Sequence, residues 1–362
     1  MFVLSLLFLR FKFDYMSTFH KLTIKQIIKE TKEAVSILFK VPEELKEKFQ
    51  FVAGQYITIK TTINGEEIRR AYSICASPKS NQLKVAVKAV ENGKFSVFAT
   101  TQLKEADVLE VAIPEGKFTL LPEDDKNYIA FAAGSGITPV LSMVKTVLED
   151  TNSTFTLVYG NKSINDTIFF NDLNLLQQAY PNQFNLHYVY SREQQENSLF
   201  GRIDKGHVNY FVKNLHKDVS FDAAYLCGPE EMITTATETL KENGFEGSNI
   251  HFELFTATTS EENTDQIKDG ETELTVLLDD EKTTFSMKQT DTILAASLRN
   301  KLDAPYSCQG GVCSSCIAKV TEGKAVMTKN SILTDDELEE GLVLTCQAHP
   351  TTAKVVIDFD DV

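Results

Sequence analysis

Four cysteines crowd the last 55 residues: Cys308, Cys313, Cys316 and Cys346. Their spacing, C-x4-C-x2-C-x29-C, puts three thiols on one tight loop and the fourth far along the chain. Soft thiolates in this pattern suit a plant-type [2Fe–2S] cluster, where four sulfurs must reach two irons. Gly310 and Gly311 are expected to take positive φ and let the backbone curl closely. Ser307, Ser314 and Ser315 are candidate hydrogen-bond donors to the cluster sulfurs. The rival reading is structural zinc. Zinc knuckles usually come as two closely spaced pairs, whereas Cys346 stands alone in a strand-like stretch, VLTCQA. A Rieske centre needs two histidine ligands, and none of the six histidines is placed for that. Of the other cysteines, Cys75 reads as a small buried hydrophobe.

Upstream segments carry residue types that could grip dinucleotides. A flavin needs a flat stacking partner, a hydrogen bond near its reactive nitrogen and a cation for its diphosphate. Arg70-Ala71-Tyr72-Ser73 offers all three on a predicted strand, with Arg70 and Tyr72 on one face and Ser73 on the other. Gly93-Lys94-Phe95-Ser96 opens a helix whose first amides suit a diphosphate; a plain serine cap is the simpler alternative. The turn Ala133-Gly134-Ser135-Gly136-Ile137-Thr138-Pro139 allows close backbone approach before a helix. Pro139 replaces the third glycine of G-x-G-x-x-G, which weakens an ordinary dehydrogenase reading. Ala133 in the first position of G-x-S-x-G argues against a hydrolase elbow.

Three kinds of element must position these groups, and the expected fold is multidomain. Residues 17–121 read as short strands, Ala34–Lys40 and Tyr56–Ile63 among them, with Asn64-Gly65 as a hairpin turn and one helix over Ser96–Leu103. That pattern predicts an antiparallel β-barrel. Residues 122–255 alternate strand and helix, predicting a doubly wound α/β unit with a parallel sheet. Residues 256–271 are nearly free of apolar side chains and read as a linker. Residues 272–362 form a compact α+β unit, with a helix over Thr292–Lys301 leading into the cysteine loop. Residues 1–16 read as an extension or a misplaced start, their apolar run broken by Arg10 and Lys12.

Composition narrows the partners. The 362 residues carry 36 basic and 51 acidic side chains, a net charge of −15, with no dense basic stripe. Nucleic acid and anionic membrane are poor partners for such a surface. Clustered cysteines without a secretion signal favour a redox or metal site in a reducing, cytoplasmic compartment over disulfides. The acidic run Asp335–Glu340 could dock a basic partner or simply form a solvated helix start capped by Thr334.

Taken in order, R-x-Y-S, G-x-x-S, AAGSGITP, Cys227-Gly228-Pro229 and the cysteine loop resemble ferredoxin–NADP⁺ reductase-type flavoproteins fused to a C-terminal plant-type ferredoxin. Stretches such as IRRAYSI, YGNKS, LFGRID, APYSCQGGVC and LTCQA carry the likeness over residues 17–362. Within that group the chain is most similar to reductase subunits of phenylacetyl-CoA epoxidases. The resemblance implies a β-grasp ferredoxin unit and a flow of electrons from NAD(P)H through FAD and the cluster to an oxygenase, here a di-iron component. It implies that Arg70, Tyr72 and Ser73 hold FAD, with Lys88, Gly93 and Ser96 serving the rest of that cofactor. Gly134, Gly136 and Thr138 would face the nicotinamide dinucleotide. Cys227 would lie beside the nicotinamide ring, with Gly228 and Pro229 giving room. Glu253 and Phe255 resemble a closing E-x-F, and Ser191 and Arg192 resemble a 2′-phosphate site favouring NADPH over NADH. Two alternatives stay open: a reductase serving another hydroxylase or desaturase, and a non-enzymatic zinc-binding or redox-sensing module.

Overall fold

A computed structural model describes residues 19–255 and 267–362, so the extension and most of the expected linker lie outside the described residues. The first sheet comprises β1 (His20–Lys29), β2 (Ala34–Lys40), β3 (Tyr56–Ile63), β4 (Glu66–Ser73), β5 (Leu83–Lys88) and β6 (Val108–Val111). Its order is β4-β3-β6-β1-β2-β5, all antiparallel, and a bridge from Ile74 to Val85 brings its two edges together. Alternating Ile, Val and Leu side chains fill the interior, as period-2 patterning requires. Asn64 and Gly65 both take positive φ, the condition for a tight two-residue hairpin. Helix α1 (Lys94–Thr101) caps this half-barrel.

The second sheet is parallel, in the order β10-β9-β8-β7-β11-β12. Its strands are β7 (Asn127–Ala133), β8 (Thr154–Asn161), β9 (Phe184–Tyr190), β10 (Ser198–Phe200), β11 (Ala223–Cys227) and β12 (Ile250–Glu253). Helices α2 (Ile137–Asp150), α3 (Phe170–Ala179), α4 (Lys205–Asn209) and α5 (Glu230–Glu242) connect them, and apolar cores cover both faces. From β7 the chain adds strands on one side through β8 and on the other through β11. The crevice beyond their carboxyl ends is therefore the switch point at which such sheets bind ligands. One core joins the first two units: Ala53, Phe118 and Leu120 of the barrel side pack with Tyr128 and Met143.

The last unit is a five-stranded mixed sheet in which β13 (Glu271–Leu278) runs parallel to the C-terminal strand β19 (Lys354–Asp358). Between them come β14 (Glu281–Lys288), helix α6 (Ile293–Arg299), β15 (Ile317–Glu322) and β16 (Ala325–Met327). Then follow α7 (Asp335–Glu339), β17 (Leu342–Leu344) and β18 (Ala348–Pro350). Thr292 caps α6, its hydroxyl accepting from the Ala295 amide at 3.2 Å. The Thr334 capping box is present at the head of α7, so the acidic run is a helix start, and its Glu337 pairs with Lys117 of the barrel. Among the described residues no helix is long and apolar enough to cross a membrane.

Candidate functional site

The two cavities of interest adjoin at the carboxyl end of β7. The smaller, about 410 Å³, is lined by Arg70, Tyr72, Ser73, Gly93, Ser96 and Thr138. The larger, about 550 Å³, is lined by Gly134, Gly136, Ser191, Arg192, Gly228 and Pro229. Lys88, Ser135 and Phe255 line both. Thr138 thus belongs to the smaller cavity, where its hydroxyl donates to the Ser135 carbonyl at 3.1 Å. The strand alternation expected to separate Ser73 from Arg70 and Tyr72 does not do so. Ser73 ends β4 at the cavity's edge, and all three line that one cavity.

Gly93 is the N-cap of α1. Ser96 is not the cap: its hydroxyl accepts from the Val90 amide at 3.2 Å and closes the preceding turn, leaving the first amides of α1 free of a side-chain cap. After β7, Gly134–Gly136 forms a 3-10 turn that leads directly into α2. Gly136 is required by contact: a β-carbon there would stand 2.1 Å from the Cys227 carbonyl oxygen.

Cys227 is fully buried at the end of β11, in register between Ala132 and Glu253, and lines neither cavity. Burial pushes its thiol well above the usual range, and the neighbouring Glu253 charge adds to this. Glu253 accepts a hydrogen bond from the Ser73 hydroxyl at 3.2 Å. Desolvation raises the Glu253 carboxyl to about 8, against a small opposing effect of that hydrogen bond. Cys75 behaves as the buried hydrophobe expected, its thiol pushed up to about 12 by burial.

Several cavity residues lie within the family-like stretches YGNKS and LFGRID but are not among the site residues that the resemblance implies. Lys162 and Arg202 join Arg192 and Lys88 around the larger cavity, whose lining also holds Asp166, Asp204 and Glu231. The side-chain nitrogen of Asn161 is buried there with no hydrogen-bond partner among the described residues. A polar ligand with an acceptor would satisfy it. YGNKS was visible as a family-like stretch, yet nothing in its composition singled out Asn161 or Lys162.

The four clustered thiols assemble as two pairs. Cys308 lies near Cys313, and Cys316 near Cys346, each pair close enough for its thiols to interact. Two adjacent thiol pairs are what a two-iron centre needs, one pair for each iron. The Gly310 amide points at Cys308 Sγ at 3.3 Å. The Ser307 hydroxyl is buried beside the loop with no partner among the described residues, as a donor awaiting a sulfide acceptor would be. Left-handed backbone falls at Gln309 and Gly311, with Gly310 outside that region, which corrects the expectation for the glycine pair. Ser314 departs from expectation, its hydroxyl turning to Tyr56, whereas Ser315, which bonds Tyr56 and Glu115, also lies 3.7 Å from Cys313 Sγ and accepts from it.

Comparison with known proteins places these features in a family. Residues 21–120 match the oxidoreductase FAD-binding domain, 131–238 the oxidoreductase NAD-binding domain and 276–351 the 2Fe-2S iron-sulfur cluster binding domain. The chain is 40% identical to one component of the 1,2-phenylacetyl-CoA epoxidase of Escherichia coli (strain K12), over 95% of this chain and 99% of that protein. It is 31% identical to the 3-ketosteroid-9-alpha-monooxygenase ferredoxin reductase component of Rhodococcus rhodochrous, over 93% and 96%. Phthalate dioxygenase reductase, a modular structure for electron transfer from pyridine nucleotides to [2Fe–2S], shares the fold at TM-score 0.59 and 24% identity, over 94% and 98%. The chain belongs to the family of oxygenase reductase components, flavoproteins that carry electrons from NAD(P)H through FAD and a [2Fe–2S] cluster.

Proposed function

We propose that this reductase oxidises NADPH and delivers single electrons to a phenylacetyl-CoA epoxidase-type oxygenase in phenylacetate degradation. The observation carrying the reading is the junction of the two cavities, which share Lys88, Ser135 and Phe255 and meet near the Ser73–Glu253 hydrogen bond. Residues 17–121 would serve FAD, 122–255 the nicotinamide dinucleotide and 272–362 the cluster, with 256–271 as linker. Bound FAD supplies the exchange between a hydride donor and one-electron acceptors, and the cluster supplies a one-electron relay.

The chain's own residues bind, orient and hold protons. Arg70 and the free amides at Gly93–Ser96 would neutralise and bond the FAD diphosphate, and Tyr72 would stack on its ring system. Lys88, at the junction, would steady the phosphates. Gly134 and Gly136 let the α2 amides approach the second dinucleotide, with Thr138 bracing their turn. Gly228 and Pro229 would give the nicotinamide ring room, with Cys227 fully buried behind them as support and not as part of the cavity wall. Phe255 would cover the junction and exclude water. Glu253, raised to about 8, keeps its proton near neutrality, and the Ser73 hydroxyl links it to the smaller cavity. Ser191, Arg192, Lys162 and Arg202 would hold a 2′-phosphate, which supports NADPH over NADH. Cys308 with Cys313 would grip one iron and Cys316 with Cys346 the other.

The likeness to the epoxidase component runs the full length, including the unit that would meet the acceptor. A second reading, delivery to another oxygenase, draws on the ketosteroid monooxygenase relative. Anaerobic titration of purified protein with NADPH, and with NADH beside it, tests the cofactor path optically. Flavin and cluster bands should bleach, faster with NADPH. A colourless protein after reconstitution with iron, sulfide and FAD would overturn the reading. Coupled turnover with an epoxidase oxygenase component, against a ketosteroid one, decides the acceptor.

A further inference from the structure

The cysteine loop is held by the barrel through a specific contact that no sequence motif announces. Tyr56, at the start of β3, is almost wholly buried, and its hydroxyl lies 3.0 Å from both Ser314 Oγ and Ser315 Oγ. The Ser315 hydroxyl lies 2.7 Å from Glu115 Oε1, to which it donates. Thr58 donates to the same oxygen at 3.3 Å. Tyr56 and Glu115 are tied to each other by reciprocal backbone hydrogen bonds of 2.8 and 2.9 Å, so both side chains leave one rigid edge. The two serines are the residues between Cys313 and Cys316, which belong to different thiol pairs. Any shift of Ser314–Ser315 therefore moves both pairs.

What makes this contact more than packing is its register. In the β3–β4 ladder the cross-strand partner of Tyr56 is Ser73, the residue that lines the flavin-side cavity and bonds Glu253. Residues paired across an antiparallel ladder have α-carbons about 4.5–5.5 Å apart. One residue pair thus borders the smaller cavity on one strand and grips the thiol loop on the other.

Outlying contacts share the same orientation. Arg69, beside Arg70, turns away from the cavity, bonds Asp303 at 3.1 Å and lies 4.4 Å over the Tyr306 ring. Lys117 pairs with Glu337, and Val312 of the loop packs into the core of the parallel-sheet unit. These contacts bring the ferredoxin unit near; Tyr56 and Glu115 are the ones that touch the loop between ligands.

We propose that Tyr56 and Glu115 are positioning residues that seat the Ser314–Ser315 segment against the barrel, directly across the ladder from Ser73, and thereby set the separation between the flavin side and the thiol pairs. What crosses that separation is a single electron, with no bond made or broken. The inference rests on FAD and the cluster occupying the sites proposed above.

The test uses holoprotein carrying Tyr56→Phe, Glu115→Leu or both, the leucine having no oxygen to accept from Ser315. Amide hydrogen exchange across residues 312–316 should quicken by about tenfold in each single variant, the effect of one lost hydrogen bond on a seating equilibrium. In anaerobic stopped-flow with NADPH, flavin bleaching should keep its wild-type rate while the following cluster reduction slows. The cluster spectrum should stay that of four-cysteine ligation, because no ligand changes. Slowed cluster reduction with a shifted potential and unchanged exchange would overturn positioning, as would wild-type exchange and wild-type cluster reduction in both single variants. If Tyr56→Phe fails to load cofactor, Glu115→Leu loosens the same segment through Ser315 without touching the buried ring. Failure of wild type itself to bleach would sink the cofactor assignment, a result separate from any behaviour of the variants.

Discussion

A hydroxyl from the barrel and a carboxyl from the parallel sheet, Ser73 and Glu253, meet at 3.2 Å although they are 180 positions apart. Burial lifts Glu253 from the ordinary 4.5 to about 8, so the folded chain holds a proton that the unfolded chain releases between those pH values. Stability therefore falls as pH rises through that window, by up to about 1.4 kcal/mol per unit, and levels off above it. Glu253→Gln removes this dependence. Thermal unfolding across the window should show the variant gaining on wild type as pH rises, and parallel curves would place the carboxyl in its ordinary range. At the other end of the larger cavity, Arg192→Ala should raise KM for NADPH by about 10- to 100-fold, the worth of a charge-assisted hydrogen bond. KM for NADH should stay near wild type; equal effects on the two would remove Arg192 from the phosphate site.

Elements place these residues through contacts at their ends. Helix α2 can begin where it does only because Gly136 lets the turn rest on the Cys227 carbonyl. Gly136→Ala should cost about 1–3 kcal/mol through overpacking and lower Tm, with the loss visible in FAD-free and FAD-loaded protein alike. An unchanged Tm would mean that β11 and the turn can separate at no cost. At α7 the capping box satisfies amides that would otherwise lack partners, so Thr334→Ala should cost about 1 kcal/mol of the ferredoxin unit's stability. Because Glu337 both completes that box and pairs with Lys117, part of the acidic run is engaged within the molecule. This reduces the face left for an external basic partner.

Across the whole molecule, four cores are stitched together among the described residues. Barrel residues enter the core under α2, and Val312 of the cysteine loop enters the core under α5. The division of labour should nevertheless be separable. Cys316→Ala breaks one thiol pair, so iron content should fall while FAD stays bound and NADPH still bleaches it. Electron delivery to the oxygenase should drop to background. Chelation of iron from the wild-type protein should do the same. Oxygenase reduction that survives in either case would remove the cluster from the path.

Local patterns in the chain were enough to foresee its elements and its clustered thiols. Alternation and turn chemistry placed β2 and β3 at the observed bounds, and cysteine spacing named four thiols that do gather into two pairs. Strand pleat, helix caps and the reach of one loop set these features, and each acts over a few residues. Short β10, the π-helical turn after α4 and β14–β16 were not legible, because their residues lack a sustained period and are held by neighbours. Folding in three dimensions was needed to bring Glu253 to Ser73, to turn Arg69 and Arg70 apart, and to set Tyr56 and Glu115 against the cysteine loop. All but the parting of the two arginines join segments far apart in the chain, and that parting itself depends on distant Asp303. No spacing rule reports such a contact, because it forms only when separate cores pack and bury the polar groups between them.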